Sequence, residues 1–250
     1  PARRLEGLVA AVHTPFGADG ALRLDAVEAQ AAHLARSGVA LAFVGGTTGE
    51  CASLSLEERR ALGRGDLAFE EAAVQPLQGH IDVLVANLAF RAPTTPAIDV
   101  TEDEWRSVFA GLVDPLPRLV RAAAPAMVAR RSGKVLVVGS ASALRGMKKA
   151  STYSAARGAQ LAYVQAVGAE LAPHNVQVNA IAQNFVDNPT YFPPEVQNNP
   201  RFQERLAREV PLGRLVAARE DALFAAYLCS DAADCFVGQV FPVCGGWVAR

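Results

Sequence analysis

The marks of several functional classes are missing from this 250-residue chain. Its four cysteines (Cys51, Cys229, Cys235, Cys244) form no CxxC pair, and with the four histidines (His13, His33, His80, His174) they show no metal-ligand spacing. That excludes a disulfide scaffold and a zinc module, so no metal ligands are assigned. The cysteines are expected to be buried free thiols and the histidines structural. An excess of one charge sign is also absent. Lys plus Arg number 24 against 25 Asp plus Glu, for a formal charge of −1. Nothing in that balance provides the basic footprint of a nucleic-acid or membrane-surface protein, and a small molecule is the expected partner. Apolar runs are strand-sized and interrupted, and the first residues show no basic segment leading into an apolar one. A soluble, cytoplasmic protein with no membrane span is therefore expected.

What is present is apolar bulk, 51% of residues hydrophobic against 20% charged, enough for one substantial core. GLVAAVH (residues 7–13) reads as a buried strand, followed by the turn-rich TPFGADG. Apolar residues from Leu24 to Ser37 fall at helical spacing, Gly38 stops that helix, and residues 39–44 give a second strand ending in GGTTGE. Another helix is expected from Leu54 to Leu62, with Glu57 and Glu58 in its first turn. HIDVLVANLA reads as a strand, and Thr101 with Glu104 has capping-box spacing for a helix that Pro115 and Pro117 should bend or divide. GKVLVVGSAS is a strand, TYSAARGAQLAYVQAVGAELA a long helix and VQVNAIAQN a further strand. This alternation predicts an α/β fold, a Rossmann-like doubly wound parallel sheet in a single domain over residues 1–250. Ligands would gather at the carboxyl ends of its strands.

The pattern most suggestive of chemistry is Tyr153-Ser-Ala-Ala-Arg157. Four residues apart on a helix, phenol and guanidinium share a face, and a neighbouring cation favours the phenolate. Ser140, at the end of the preceding strand, is spaced to reach the same substrate oxygen. A surface Tyr–Arg pair beside a serine in a turn fits the spacing equally well. Lys148 and Lys149 read as exposed loop charges able to steer an anion, and Asp231 and Asp234 as a solvated turn.

GHIDVLVANLA, KVLVVGSAS, Tyr-x-x-x-basic, NVQVNAIA and FVGQVFPVCGGW, spanning about residues 79–247, resemble successive landmarks of the short-chain dehydrogenase/reductase superfamily. Four positions depart from its reductases. Arg157 stands where a ribose-contacting lysine is usual, and HTPFGADG, with Pro15 and Phe16, replaces the Gly-rich dinucleotide loop. Gln183 to Pro189 replaces the nicotinamide-contacting segment, and Leu112 replaces a helix asparagine. Together with NPTYFP and VPLGRL, these departures are similar to halohydrin dehalogenases. That resemblance implies no cofactor and cofactor-independent closure of vicinal haloalcohols to epoxides with release of halide, or the reverse opening by an anion. Ser140 would hold the substrate oxygen, Tyr153 remove its proton and Arg157 keep Tyr153 acidic. Asn184, Phe185 and Val186 would form a halide nest of backbone N–H groups. Phe16, Tyr191, Phe192 and Trp247 would line the pocket. The family resemblance further implies a homotetramer, with Trp247 able to act in a neighbour's pocket.

Residues 5–62, with TPF-x-x-DG and GTTGE-x-x-SL nearly intact, instead resemble the start of the dihydrodipicolinate synthase and N-acetylneuraminate lyase (β/α)₈ aldolases. There Thr47 and Thr48 would meet a keto-acid carboxylate. No strand lysine suits a Schiff base, so residues 1–78 are expected to be an atypical aldolase-like segment ahead of a dehalogenase-like portion over 79–250. A divergent NAD(P)-dependent oxidoreductase and an inactive chimeric scaffold are the alternative functions.

Overall fold

In a computed structural model of the chain, residues 81–189 and 191–249 are described, together with the backbone of β1 (Leu8–Ala11) and β2 (Val39–Phe43). The expected helices at 24–37 and 54–62, with Phe16, Thr47, Thr48, Cys51, His13, His33 and His80, lie outside the described residues. β1 and β2 pair in parallel, as β-α-β requires.

From β3 (Val83–Ala86) onward the chain winds back and forth across a four-stranded parallel sheet of order β3-β4-β5-β6. Helices α1 (Glu102–Leu112) and α2 (Pro115–Arg130) lead into β4 (Gly133–Ser140). The turn α3 (Ser142–Arg145) and the 21-residue α4 (Ser151–Leu171) lead into β5 (Val176–Gln183). A loop, then α5 (Pro194–Gln197), α6 (Pro200–Glu209) and α7 (Ala218–Leu228), carries the chain to β6 (Val240–Val243). The prolines act as expected. Pro115 takes the first turn of α2, where its missing N–H costs nothing, and the helix pair divides at Val113 and Asp114.

β4 and β5 are buried on both faces, and their side chains alternate between two cores. Val135, Val137, Val178, Ala180 and Ala182 join α1, α2 and α4 in one cluster. Leu136 and Ile181 face the other way, onto Phe224 and Leu228 of α7 and Phe241 of β6. Helices thus cover both faces of the sheet, the doubly wound arrangement that the alternation predicts. Backbone approaches closely where α4 crosses β5 and the segment before β6. A Cβ on Gly168 would sit 2.5 Å from Gly238 Cα and 3.0 Å from Val178 O, all of it backbone.

Three local expectations need correction. Cys244 is buried, but Cys229 is half-buried and Cys235 exposed, so the thiols do not form a uniformly interior set. Asp234 is not simply solvated, because its carboxylate pairs with Lys134, a lysine only 7% exposed inside β4 whose ammonium also donates to Gln177 Oε1 at 3.2 Å. A buried strand ammonium needs such partners in place of its lost hydration. The Thr101 capping box forms by half. Thr101 Oγ1 accepts from Glu104 N at 3.1 Å, while the Glu104 carboxylate turns away to accept from Thr95 Oγ1 at 2.6 Å and Thr152 Oγ1 at 2.9 Å.

Gly168→Ala should cost about 1 to 3 kcal/mol, because backbone at Gly238 and Val178 has to move for one methyl group. Urea denaturation would measure it, and an unchanged midpoint would show that α4 can shift freely over β5.

Candidate active site

The buried stripe of α4 carries Tyr153, Arg157, Gln160, Val164 and Gly168 at helical spacing. Tyr153 is 9% and Arg157 6% exposed. A surface Tyr–Arg pair is therefore not what the spacing encodes. The Arg157 guanidinium carbon lies 5.1 Å from the centroid of the Tyr153 ring, over its face. Its Nη1 donates to Val138 O at 3.1 Å and to Gln160 Oε1 at 3.0 Å, while Nε is buried with no hydrogen-bond acceptor among the described residues. Gln160, fully buried, passes the tie on by donating to Leu112 O at the end of α1. Sequence reading missed Gln160. The signal was there: a glutamine three residues after Arg157, on the same apolar stripe, has to find polar partners when buried.

Ser140 ends β4 two residues beyond Val138, so the strand that receives the guanidinium also presents the serine. It is buried, its Oγ accepts from Ser142 N at 3.2 Å, and it shares a 2.9 Å hydrogen bond with Ser142 Oγ. The turn into α4 is fixed from outside by Glu104. Through Thr152, that carboxylate anchors the residue next to Tyr153, and through Thr95 the loop after β3.

After β5 the chain makes a tight, internally bonded loop. Phe185 adopts φ +51°, a left-handed conformation that is costly for a bulky residue and tends to gather at functional sites. Its N–H donates to Asn184 Oδ1 at 2.9 Å, and Asn184 N–H donates to Val243 O at 3.1 Å. A nest of three free N–H groups at Asn184, Phe185 and Val186 is therefore not present, and of the three only Val186 N–H donates to no described residue. Among the expected pocket walls, Phe185, Phe192 and Trp247 do come together. Phe185 stacks on Phe192 with centroids 5.9 Å apart and meets Trp247 at 6.2 Å. Trp247 is buried within its own chain, beneath the Arg145 guanidinium at 4.7 Å. Tyr191 is exposed rather than a buried wall, with its hydroxyl 3.5 Å from Phe90 O. The half of the phenol that is covered, then the nearby Tyr153, push the Tyr191 hydroxyl above its ordinary range, against the opposing pull of Arg157. Tyr191 thus belongs to the same electrostatic neighbourhood as the pair on α4.

Among the described residues no group of His, Cys, Asp and Glu could hold a metal, and no helix is long and apolar enough to cross a membrane.

A family model described as enoyl-(acyl carrier protein) reductase matches residues 65–248. The chain belongs to the short-chain dehydrogenase/reductase superfamily. A second family model, dihydrodipicolinate synthetase, matches residues 4–112 and overlaps the first from 65 to 112. Among curated proteins, the monensin polyketide synthase putative ketoacyl reductase of Streptomyces virginiae is 32% identical over 74% of this chain and 73% of that protein. The uncharacterized oxidoreductase YmfI of Bacillus subtilis (strain 168) is 36% identical, with the match covering 52% of each. The match thus spans about half the length of YmfI. A solved structure titled dehalogenation enzyme is 27% identical at TM-score 0.72, covering 98% of this chain and 100% of its own. A halohydrin dehalogenase bound to ethyl (2S)-oxiran-2-ylacetate is 28% identical at TM-score 0.71, covering 95% and 96%. The chain is a single α/β domain with a parallel sheet of this superfamily's kind.

Reductases of the superfamily use a nicotinamide nucleotide, so the described residues can be tested for fit. Arg157, at the ribose-contacting position, is turned inward onto Val138, Gln160 and the Tyr153 ring. At the end of β5 the Gln183 amide is tied to Asp221, and the Phe185 ring fills the interior against Phe192 and Trp247. These residues do not fit a nicotinamide ribose. The loop that would meet the pyrophosphate, HTPFGADG, lies outside the described residues.

Glu104→Ala should destabilise the protein by about 1 to 3 kcal/mol by leaving the hydroxyls of Thr95 and Thr152 without their acceptor. Glu104→Gln, which keeps an acceptor oxygen, should lose less. Denaturant titration of both variants decides this, and equal losses would count against the two-threonine tie.

Proposed function

We propose that the protein is a cofactor-independent halohydrin dehalogenase. The observation that carries this reading is the buried Tyr153–Arg157 pair, with the arginine held by the strand that ends in Ser140. Two dehalogenase structures that align over nearly the whole of both chains support it.

In this mechanism Ser140 donates a hydrogen bond to the substrate hydroxyl oxygen. Tyr153, as phenolate, takes the hydroxyl proton. The alkoxide oxygen attacks the neighbouring carbon, a C–O bond forms as the C–X bond breaks, and the halide leaves with the bonding pair. Both reacting centres lie in one molecule, so proximity already favours ring closure, and electrons balance without a redox partner. Arg157 places a cation over the ring that is negative before the proton arrives. The reverse reaction returns the proton from Tyr153 as an anion opens the epoxide. In this reading the leaving halide is received at the Val186 N–H, beside the cluster of Phe185, Phe192 and Trp247.

A second reading, an oxidoreductase, draws on the ketoacyl reductase at 32% identity. It requires nicotinamide binding, which the inward-turned Arg157 opposes.

Halide release from 1,3-dichloro-2-propanol without nicotinamide tests the proposal. Tyr153→Phe should lower kcat by at least about a hundredfold while leaving the denaturation midpoint nearly unchanged, because the ring and its cation contact remain. Retained release in that variant would remove Tyr153 as the base. Saturable NADH or NADPH binding, with no halide release by the parent, would move the assignment to the second reading.

A further inference from the structure

An open groove of about 910 Å³ lies beside the candidate site, lined by Arg145, Lys148, Arg205, Arg208, Glu209 and Trp247, with Gly146 and Met147 completing its wall. Its volume falls within the range of small-molecule sites. The charge along it departs sharply from that of the chain as a whole. Four cations face one carboxylate here, in a protein of formal charge −1. The cations come from two separate elements, Arg145 and Lys148 from α3 and the loop after it, Arg205 and Arg208 from α6.

The groove joins the site through specific contacts. Ser142, hydrogen-bonded to Ser140, begins the turn that ends in Arg145. Arg145 lies over Trp247 and donates to its carbonyl, and Trp247 packs on Phe185, the second residue after the end of β5. Arg205 covers the Phe185 ring at 5.4 Å. The Phe185–Trp247 aromatic pair at the groove therefore lies between the Arg145 and Arg205 guanidinium groups. Glu209 pairs with Arg205 at 3.2 Å; burial would raise its carboxyl, but Arg205 and further donors hold it below the usual range. It remains ionised and engages α6's own arginines, so it competes least with a ligand at Arg145 and Lys148.

We infer that this groove receives an anionic substituent of the substrate, so that the preferred haloalcohol or epoxide carries a carboxylate or a phosphate a few bonds from the reacting carbon. The inference rests on the dehalogenase reading and refines it by naming the substrate class. Guanidinium groups suit both anions, since their fork of donors matches planar carboxylate and phosphate oxygens. In a solvent-open groove the attraction is screened over about 10 Å at 0.1 M salt, so it is sensitive to ionic strength, unlike apolar contacts.

The test uses matched substrates: 4-chloro-3-hydroxybutanoate, its neutral amide, and 3-chloro-2-hydroxypropyl phosphate. At low salt the parent should show a KM roughly tenfold lower for an anion than for the amide, and 0.5 M sodium perchlorate, which supplies neither the product halide nor a nucleophile, should erase most of that difference. Lys148→Glu, on an exposed loop residue, should erase it as well by raising the KM of the anions towards that of the amide. Arg145→Gln provides a second variant. Whichever anion shows the larger salt-sensitive preference identifies the source of the charge. Equal KM values for anions and amide, or a preference that survives both salt and Lys148→Glu, would overturn the inference.

Binding provides a readout independent of turnover. Trp105 and Trp247 are the chain's two tryptophans, so Trp105→Phe leaves Trp247 as the reporter. Titration with unreactive 3-hydroxybutanoate should change its emission saturably at low salt and much less with Lys148→Glu. If no substrate releases halide yet this titration succeeds, the dehalogenase reading fails and the anion groove stands. If halide is released but the titration is flat and KM is blind to charge, the groove inference fails alone. Binding confined to an acidic protein, with no response to these small anions, would also overturn it.

Discussion

The organisation of this site depends on one buried guanidinium. Arg157 lies under 7% exposed, and its partners are a strand carbonyl, a glutamine amide oxygen and the face of a tyrosine ring. A cation out of water is costly unless dipoles or charges replace its hydration, so each partner is held in place by that need. Val138 O fixes α4 against β4, Gln160 extends the tie to the last turn of α1, and the ring contact sets the direction in which Tyr153 points. Lysine at this position would give up the planar fork and the stacking that make the arrangement possible.

A second constraint acts on the first turn of α4. Glu104 starts as a helix N-terminal residue and ends as the acceptor for two threonines that belong to different loops. It joins the segment after β3 to the residue adjoining Tyr153. With Arg157 holding the second turn of α4 from the sheet side and Glu104 holding the first from the loop side, the phenol sits between two anchors. This kind of support from neighbouring residues keeps reacting groups within narrow tolerances.

Much of this was legible in the sequence, for definite reasons. The alternating apolar runs of β4 and β5 are long enough to declare a strand buried on both faces, and Pro115 can only start a helix or break one. The tyrosine–arginine spacing implies a shared helix face but not its burial, which becomes visible only when Gln160, Val164 and Gly168 are read as one stripe. Asp234 looked solvated because its partner Lys134 is 100 residues away along the chain. The halide nest was drawn from residue order after β5, and order does not reveal that Asn184 occupies the Phe185 N–H with its own side chain. Distance in sequence and competition for hydrogen bonds account for these failures.

The short contact between Ser140 and Ser142 has a directional consequence. Ser142 is fully buried, and the described acceptor within reach of its hydroxyl is Ser140 Oγ, so donation from Ser142 to Ser140 is the orientation that leaves no hydroxyl proton stranded away from water. Ser140 already accepts from Ser142 N. With both lone pairs engaged, the serine at the strand end is polarised one way: it has a hydrogen to give and no basicity left to offer. Such a group discriminates by the sign of charge that develops opposite it, strengthening its grip as an oxygen turns toward alkoxide and loosening it as that oxygen becomes an ether.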